Sequence, residues 1–150
     1  MCFLFSCTSA FSAGVNVLTD KKLDLDKNDV TYHFPEATRQ KFKQIHMGNI
    51  IANDKDLTVR WLFGILNERL SKSDTPWKFI FYIDANERKT GLEMADEKLS
   101  RFPRFLKMNR KQILAKLSEV SVEEIVYYLR SDVGGGIAIM GKTIVISPSF

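Results

Sequence analysis

The chain has 150 residues, 45% of them hydrophobic and 27% charged, with 11 phenylalanines. That length and balance suit one folded domain with its own core and exclude general disorder. Lys and Arg number 22 against 18 Asp and Glu, so the net charge of +4 does not by itself point to a nucleic acid or a membrane surface as partner.

Residues 1–13, within the opening MCFLFSCTSAFSAG, are predicted to be an export signal. The apolar run ends in small residues, with Ala10, Ser12 or Ala13 as cleavage positions, although no Lys or Arg precedes it. Cleavage would remove both cysteines, Cys2 and Cys7, leaving a chain that suits an oxidising compartment without using it. The competing reading is an N-terminus packed on the core. No later apolar stretch approaches the roughly 20 residues that span a bilayer, so no transmembrane helix is expected in the mature chain. Residues 14–42 read as an N-terminal extension, with a strand at Val30–Phe34 and, after Pro35, a short helix over Ala37–His46.

Residues 43–148 form the main domain. Asn49–Ala52 is read as a strand, followed by a helix that Thr58 caps and that places Val59, Leu62, Phe63, Leu66 and Leu70 on one face. A strand over Lys78–Ile83 comes next. The insertion at residues 86–111 holds eight basic and four acidic residues, a surplus equal to the net charge of the entire chain, with a partial helix at Leu92–Ser100 that Pro103 breaks. Gln112–Leu117 is read as a strand. Ser121, with Glu124 three residues on, then forms a capping box before a helix carrying Val122, Ile125, Val126 and Leu129. Gly134–Gly136 ends it, a C-cap rather than a phosphate cradle, because the glycines follow a helix instead of preceding one. Strands at Gly136–Met140 and Thr143–Ser147 flank the tight Gly141-Lys142 turn.

Laid side by side, Leu57–Leu66 and Val120–Leu129 match in polarity at most positions, and both are preceded and followed by strand candidates. The expected fold is therefore α+β: two pseudo-repeated β-α-β units with a C-terminal β-hairpin, and two helices packed against small sheets. The segment VSVEEIVYYLRSDVGGGIAIMGKTIVISP, residues 120–148, resembles the second half of the short N-terminal domain of secretins and TonB-dependent receptors, and residues 43–83 resemble the first half. That resemblance implies a free-standing envelope form of the domain in the periplasm, docking partner proteins as part of a secretin, pilus or receptor-type assembly. Its motifs encode capping, packing and a hairpin, hence fold and not chemistry.

Catalytic anchors are sparse. His33 and His46 sit in no zinc spacing, there is no G-x-S-x-G, and the cysteines lie in the leader. Asp84, Glu87, Glu93, Asp96 and Glu97 form the best acidic cluster, though in a Lys- and Arg-rich loop a solvated mixed-charge surface explains them more simply. No enzyme activity, metal or cofactor is expected. The partner-binding candidates are Arg101, Phe102, Arg104, Phe105, Lys107 and Arg110, where basic residues recur every third position with aromatics between. They suit an acidic protein surface in the envelope better than DNA, and a homo-oligomer is a further option. The simpler account pins the phenylalanines to the core and solvates the cations. Rival functions are a nucleic-acid-binding domain using residues 98–111, or a small envelope enzyme or inhibitor.

Overall fold

The computed structural model describes residues 18–19, 30–31, 33–73, 75–83, 86, 88–133 and 136–147. Their order is β1 (Leu18–Thr19), β2 (Val30–Thr31), α1 (Glu36–Gln44), α2 (Val59–Lys72), β3 (Lys78–Tyr82) and α3 (Arg88–Ala95). Short 3₁₀ turns at Leu99–Arg101 and Pro103–Phe105 follow, then α4 (Arg110–Glu119), α5 (Val122–Tyr128), a π-helical turn at Leu129–Val133, β4 (Gly136–Met140) and β5 (Thr143–Ser147). The sheet runs β1-β3-β5-β4-β2. β3 lies parallel to β5 with Phe79 beside Ile144, and β4 lies antiparallel to β5 with Ile137 beside Ile146. β1 and β2 add two residues each at the two edges, beside Phe81–Tyr82 and Ile139–Met140.

The molecule is α+β, and the C-terminal hairpin and the strand bodies form where the residue pattern places them. Gly141 takes φ +64°, the left-handed conformation that the hairpin turn needs and that glycine adopts without a Cβ penalty. Val59, Leu62, Phe63, Leu66 and Leu70 of α2, and Val122, Ile125 and Val126 of α5 with Leu129 just beyond it, are buried in one interior with Phe79, Phe81, Ile137, Ile139, Ile144 and Ile146. Trp77 packs edge-on against Phe42 at 6.1 Å, at the entry to β3.

The equivalence of the two capped helices goes further than their sequences. Thr58 accepts a hydrogen bond from the Trp61 N–H at 3.1 Å, and Ser121 from the Glu124 N–H at 3.3 Å. Each cap also makes an isolated antiparallel bridge to a distant segment, Thr58 with Lys98 and Ser121 with His46. The flanking bonds repeat: Val59 N–H donates to Glu97 O and Leu99 N–H to Leu57 O, just as Val122 N–H donates to Ile45 O and Met47 N–H to Val120 O. Lys98 follows α3, and His46 follows α1. The halves are thus interlocked: the chain after α1 caps the start of α5, the chain after α3 caps the start of α2, α1 packs on α5, and α3 packs on α2. α3 sits so close that a Cβ added at Gly91 would stand 2.5 Å from Ile83 Cγ2.

The strands expected to lead the two units do not form. Gln112–Leu117 lies inside α4, because Asn109 and Gln112 make a full capping box and Ile113 and Leu117, four residues apart, share the buried face. Asn49–Ala52 is irregular chain outside the sheet, held partly by Arg110, whose Nη2 donates to Ala52 O at 2.6 Å. At Ser121 only the Ser arm of the expected box forms, its hydroxyl accepting from the Glu124 N–H. The helix expected over Leu92–Ser100 begins earlier and stops at Ala95, where the chain straightens to make the Lys98 bridge. Residues 1–13 and Gly134–Gly135 lie outside the described residues. Among the described residues no helix is long and apolar enough to cross a membrane.

Two measurements test this packing. Leu129→Ala should lower unfolding free energy by about 2–5 kcal/mol in chemical denaturation, as for a fully buried leucine. Thr58→Ala and Ser121→Ala should each cost about 0.5–2 kcal/mol, the range for a lost N-cap, and a cost confined to one of them would contradict their equivalence.

Candidate functional site

The start of α5 is fixed by Ser121, and from there Glu123, Val126 and Tyr127 fall along one side of the helix, with Arg130 continuing the line into the π-helical turn. Helix α1 faces this line with Arg39 and Phe42, and Phe34 closes one end. Between them lies a groove of about 420 Å³, bounded on its far side by Arg104 and Tyr128. Phe42 is buried and meets Phe34 edge to face at 5.5 Å, which gives the groove an aromatic floor. Arg39 bridges the two helices through Glu123 at 3.7 Å and also pairs with Glu36 at 3.4 Å. Tyr127 is 63% exposed, a large aromatic surface left in water at the rim. Arg130 is exposed and has no ion-pair partner among the described residues.

Arg104 is the sequence candidate that reaches this groove. Its Nε lies 3.3 Å from Asp132 Oδ2, its Nη2 donates to Ser131 Oγ at 3.3 Å, and its guanidinium carbon sits 4.0 Å from the centre of the Tyr128 ring. The Tyr127 ring is 5.5 Å away, so one guanidinium spans both tyrosines. The wide π-helical turn brings Ser131 and Asp132 within its reach, an irregularity often found where a helix carries a site. Burial pushes the Tyr128 hydroxyl pKa up, the Glu124 charge and hydrogen bond and the Asp132 charge add to the rise, and Arg104 opposes it.

The other candidates do not gather there as a set. Phe105 is buried, edge-on to Tyr128 at 6.0 Å, and Phe102 is half-buried against the core. Arg101 is exposed and pairs with Glu97 at 3.3 Å. Arg110 is turned to the Ala52 and Lys55 carbonyls at 2.6 and 3.3 Å. Lys107 is exposed and takes φ +66°, a left-handed conformation uncommon for a residue with a Cβ, next to Leu106, itself 56% exposed. Lys98 pairs with Asp56 at 3.7 Å, so Lys98, Arg101, Arg104 and Arg110 of the insertion have partners within the molecule, while Lys89, Lys107 and Lys111 are exposed. Of the acidic cluster, Asp96 pairs with Arg60 at 2.9 Å and Glu97 with Arg101, while Asp84 and Glu87 lie outside the described residues. His33 and His46 are both exposed. Among the described residues no three His, Cys, Asp or Glu side chains gather closely enough to hold a metal ion.

Sequence reasoning missed Arg39, Glu123, Tyr127, Tyr128 and Arg130. The available signal was Tyr127, a large aromatic on the outward side of a helix whose buried face is already supplied by Val122, Ile125 and Leu129. A second groove, of about 480 Å³, lies between α2 and residues 47–51, with Ile65 and Arg69 on one wall and Ile50 and Ile51 on the other. Comparison of the chain with protein-family models, with curated proteins and with solved structures found no match to any of them.

The strained balance at Tyr128 has a pH consequence. Its folded pKa lies above the ordinary value of about 10, so as pH rises past that value the unfolded chain releases the proton first and folded-state stability falls. Stability should decline more steeply above pH about 10 in the wild type than in Tyr128→Phe. Arg104→Gln should shift the slowest tyrosinate absorbance change to still higher pH, because the guanidinium is the group that pulls the hydroxyl pKa down.

Proposed function

We propose that this chain is a non-enzymatic protein–protein interaction module of the periplasm or cell envelope, and that it holds its partner in the groove between α1 and α5. The observation that carries the reading is the lining of that groove: an aromatic floor from Phe34 and Phe42, an exposed tyrosine and the Arg130 guanidinium around one cleft. Such a surface suits a partner segment that presents an apolar side chain beside a carboxylate, the pairing of aromatic and arginine contacts that anchors protein interfaces. The export-signal pattern of residues 1–13 supports the envelope location. The likeness of residues 120–148 to the short N-terminal domain of secretins and TonB-dependent receptors supports a docking role in an assembly of that type. In this reading Arg104 and Phe105 of the basic segment shape the groove from behind, Arg101 and Lys107 lie at the surface beside it in sequence, Phe102 holds the segment to the core, and Arg110 ties it to the loop at Ala52 and Lys55. The turning of Arg104 to Asp132 and of Arg110 to the Ala52 carbonyl withdraws two of the five regularly spaced cations that a nucleic-acid grip would use on phosphates.

Photo-crosslinking in cells tests the groove. A benzoylphenylalanine at position 127 should give a discrete adduct with one envelope protein, and Arg130→Glu should abolish it while the same probe at position 111 gives none. An adduct indifferent to Arg130→Glu overturns the groove assignment. Intact-mass measurement of the cellular protein tests the location separately: loss of the leader is expected, and a cytoplasmic protein retaining residues 1–13 would remove the envelope half of the proposal.

A further inference from the structure

The outer edge of β3 is closed in an unusual way. The Lys78 N–H donates to Lys142 O at 3.1 Å, so Lys78 faces β5. Alternate residues of a parallel strand address the same neighbour, which directs Ile80 and Tyr82 to β5 as well and leaves the N–H and C=O groups of Phe79 and Phe81 pointing to the opposite side. Among the described residues β1 covers that side at Phe81 and Tyr82. At Phe79 the place of a neighbouring strand is taken by one side chain from α2: the Phe79 N–H donates to Asn67 Oδ1 at 2.6 Å, and Asn67 Nδ2 donates to Phe79 O at 2.8 Å. A carboxamide offers one acceptor and a donor side by side, so Asn67 alone supplies to Phe79 the two bonds that a paired strand would supply from two peptide groups.

We propose that Asn67 is a strand surrogate that keeps the edge of β3 from pairing with the same edge of a second copy of this chain. The sequence of the strand shows what it is guarded against. Residues 78–83, KFIFYI, are aromatic or β-branched after a single lysine, the composition of segments that pair strand to strand when their backbone is open. Antiparallel pairing of Phe79 with Phe79 on two copies satisfies both residues with the two bonds Asn67 now makes, and the pairing extends to Phe81 where β1 gives way, because β1 holds that part of the edge. Phe79 is a core residue whose side chain stays fixed, so an opened edge keeps its extended shape and its unpaired groups ready for a neighbour. This inference stands on the sheet edge and is independent of the α1–α5 groove.

The test combines sedimentation velocity with amide hydrogen exchange on the intact chain and on Asn67→Leu, which keeps the size and helix preference of the side chain but neither bond. The wild type should sediment as one species across the concentration range, with the Phe79 amide protected. The variant at low concentration should exchange that amide at least about tenfold faster, and on concentration should form a dimer in which Phe79 is protected again. Asn67→Asp retains an acceptor for the Phe79 N–H and puts a charge on the edge, so it should remain monomeric. Should Asn67→Leu not accumulate folded, Asn67→Ala is read the same way. A variant that stays monomeric while Phe79 exchanges freely overturns the proposal. So does a Phe79 amide as protected as in the wild type, or a wild type already paired through β3.

Discussion

The two helix caps at Thr58 and Ser121 are the contacts on which the rest of the molecule depends. An N-cap residue must leave the helix in an extended conformation for its hydroxyl to reach back to the third helical N–H. That extended backbone is then free to pair with another extended segment, and here each cap does so with chain from the other half of the molecule. One residue therefore ends a helix's exposed N–H groups and ties two sequence-distant regions together. Because the exchange is reciprocal, neither half completes its own helix start, and the single shared interior follows from that dependence.

The same arrangement explains where the molecule is open and where it is shut. α3 packs on α2, and at Gly91, whose missing Cβ leaves room for the Ile83 side chain, it also lies close against the end of β3. The corresponding pair, α1 and α5, packs together with Phe42 buried and Arg39 paired with Glu123, and a cleft lined by Arg39, Phe42, Glu123 and Tyr127 runs along the contact. α4 fills the space in the second half that irregular chain occupies in the first, and it brings Lys116 to the Arg104 carbonyl at 3.2 Å. The approximate symmetry is thus broken by α4, while a groove remains on each side, and the functional reading attaches to the one between α1 and α5, which has the aromatic floor and the exposed Tyr127 and Arg130.

Charge placement has a similar logic. A cluster of cations in sequence would suggest a positive surface, but a guanidinium gains more from a nearby carboxylate, a carbonyl or an aromatic face than from water alone once the chain folds it against them. Arg104 finds a carboxylate in Asp132, a hydroxyl in Ser131 and an aromatic face in Tyr128, and Arg110 finds two carbonyls. The insertion is accordingly a folded part of the domain.

By itself the sequence determined the local structure: the two caps, the apolar faces of α2 and around Ile125, the strands over residues 78–82, 136–140 and 143–147, and the hairpin at Gly141. All of these follow from periodicity and turn chemistry within a few residues, where side chain and backbone meet directly. It misassigned Gln112–Leu117, because an apolar run of that length suits strand and helix alike, and the Asn109 capping box that decides between them lies just upstream. Only the tertiary structure decided that the caps are exchanged between halves, that Asn67 stands in for a strand at Phe79, and that Arg104 joins α5 while Arg110 does not. Each of these joins residues between 12 and 75 positions apart, and spacing along the chain holds no record of contacts that exist only once the helices have packed.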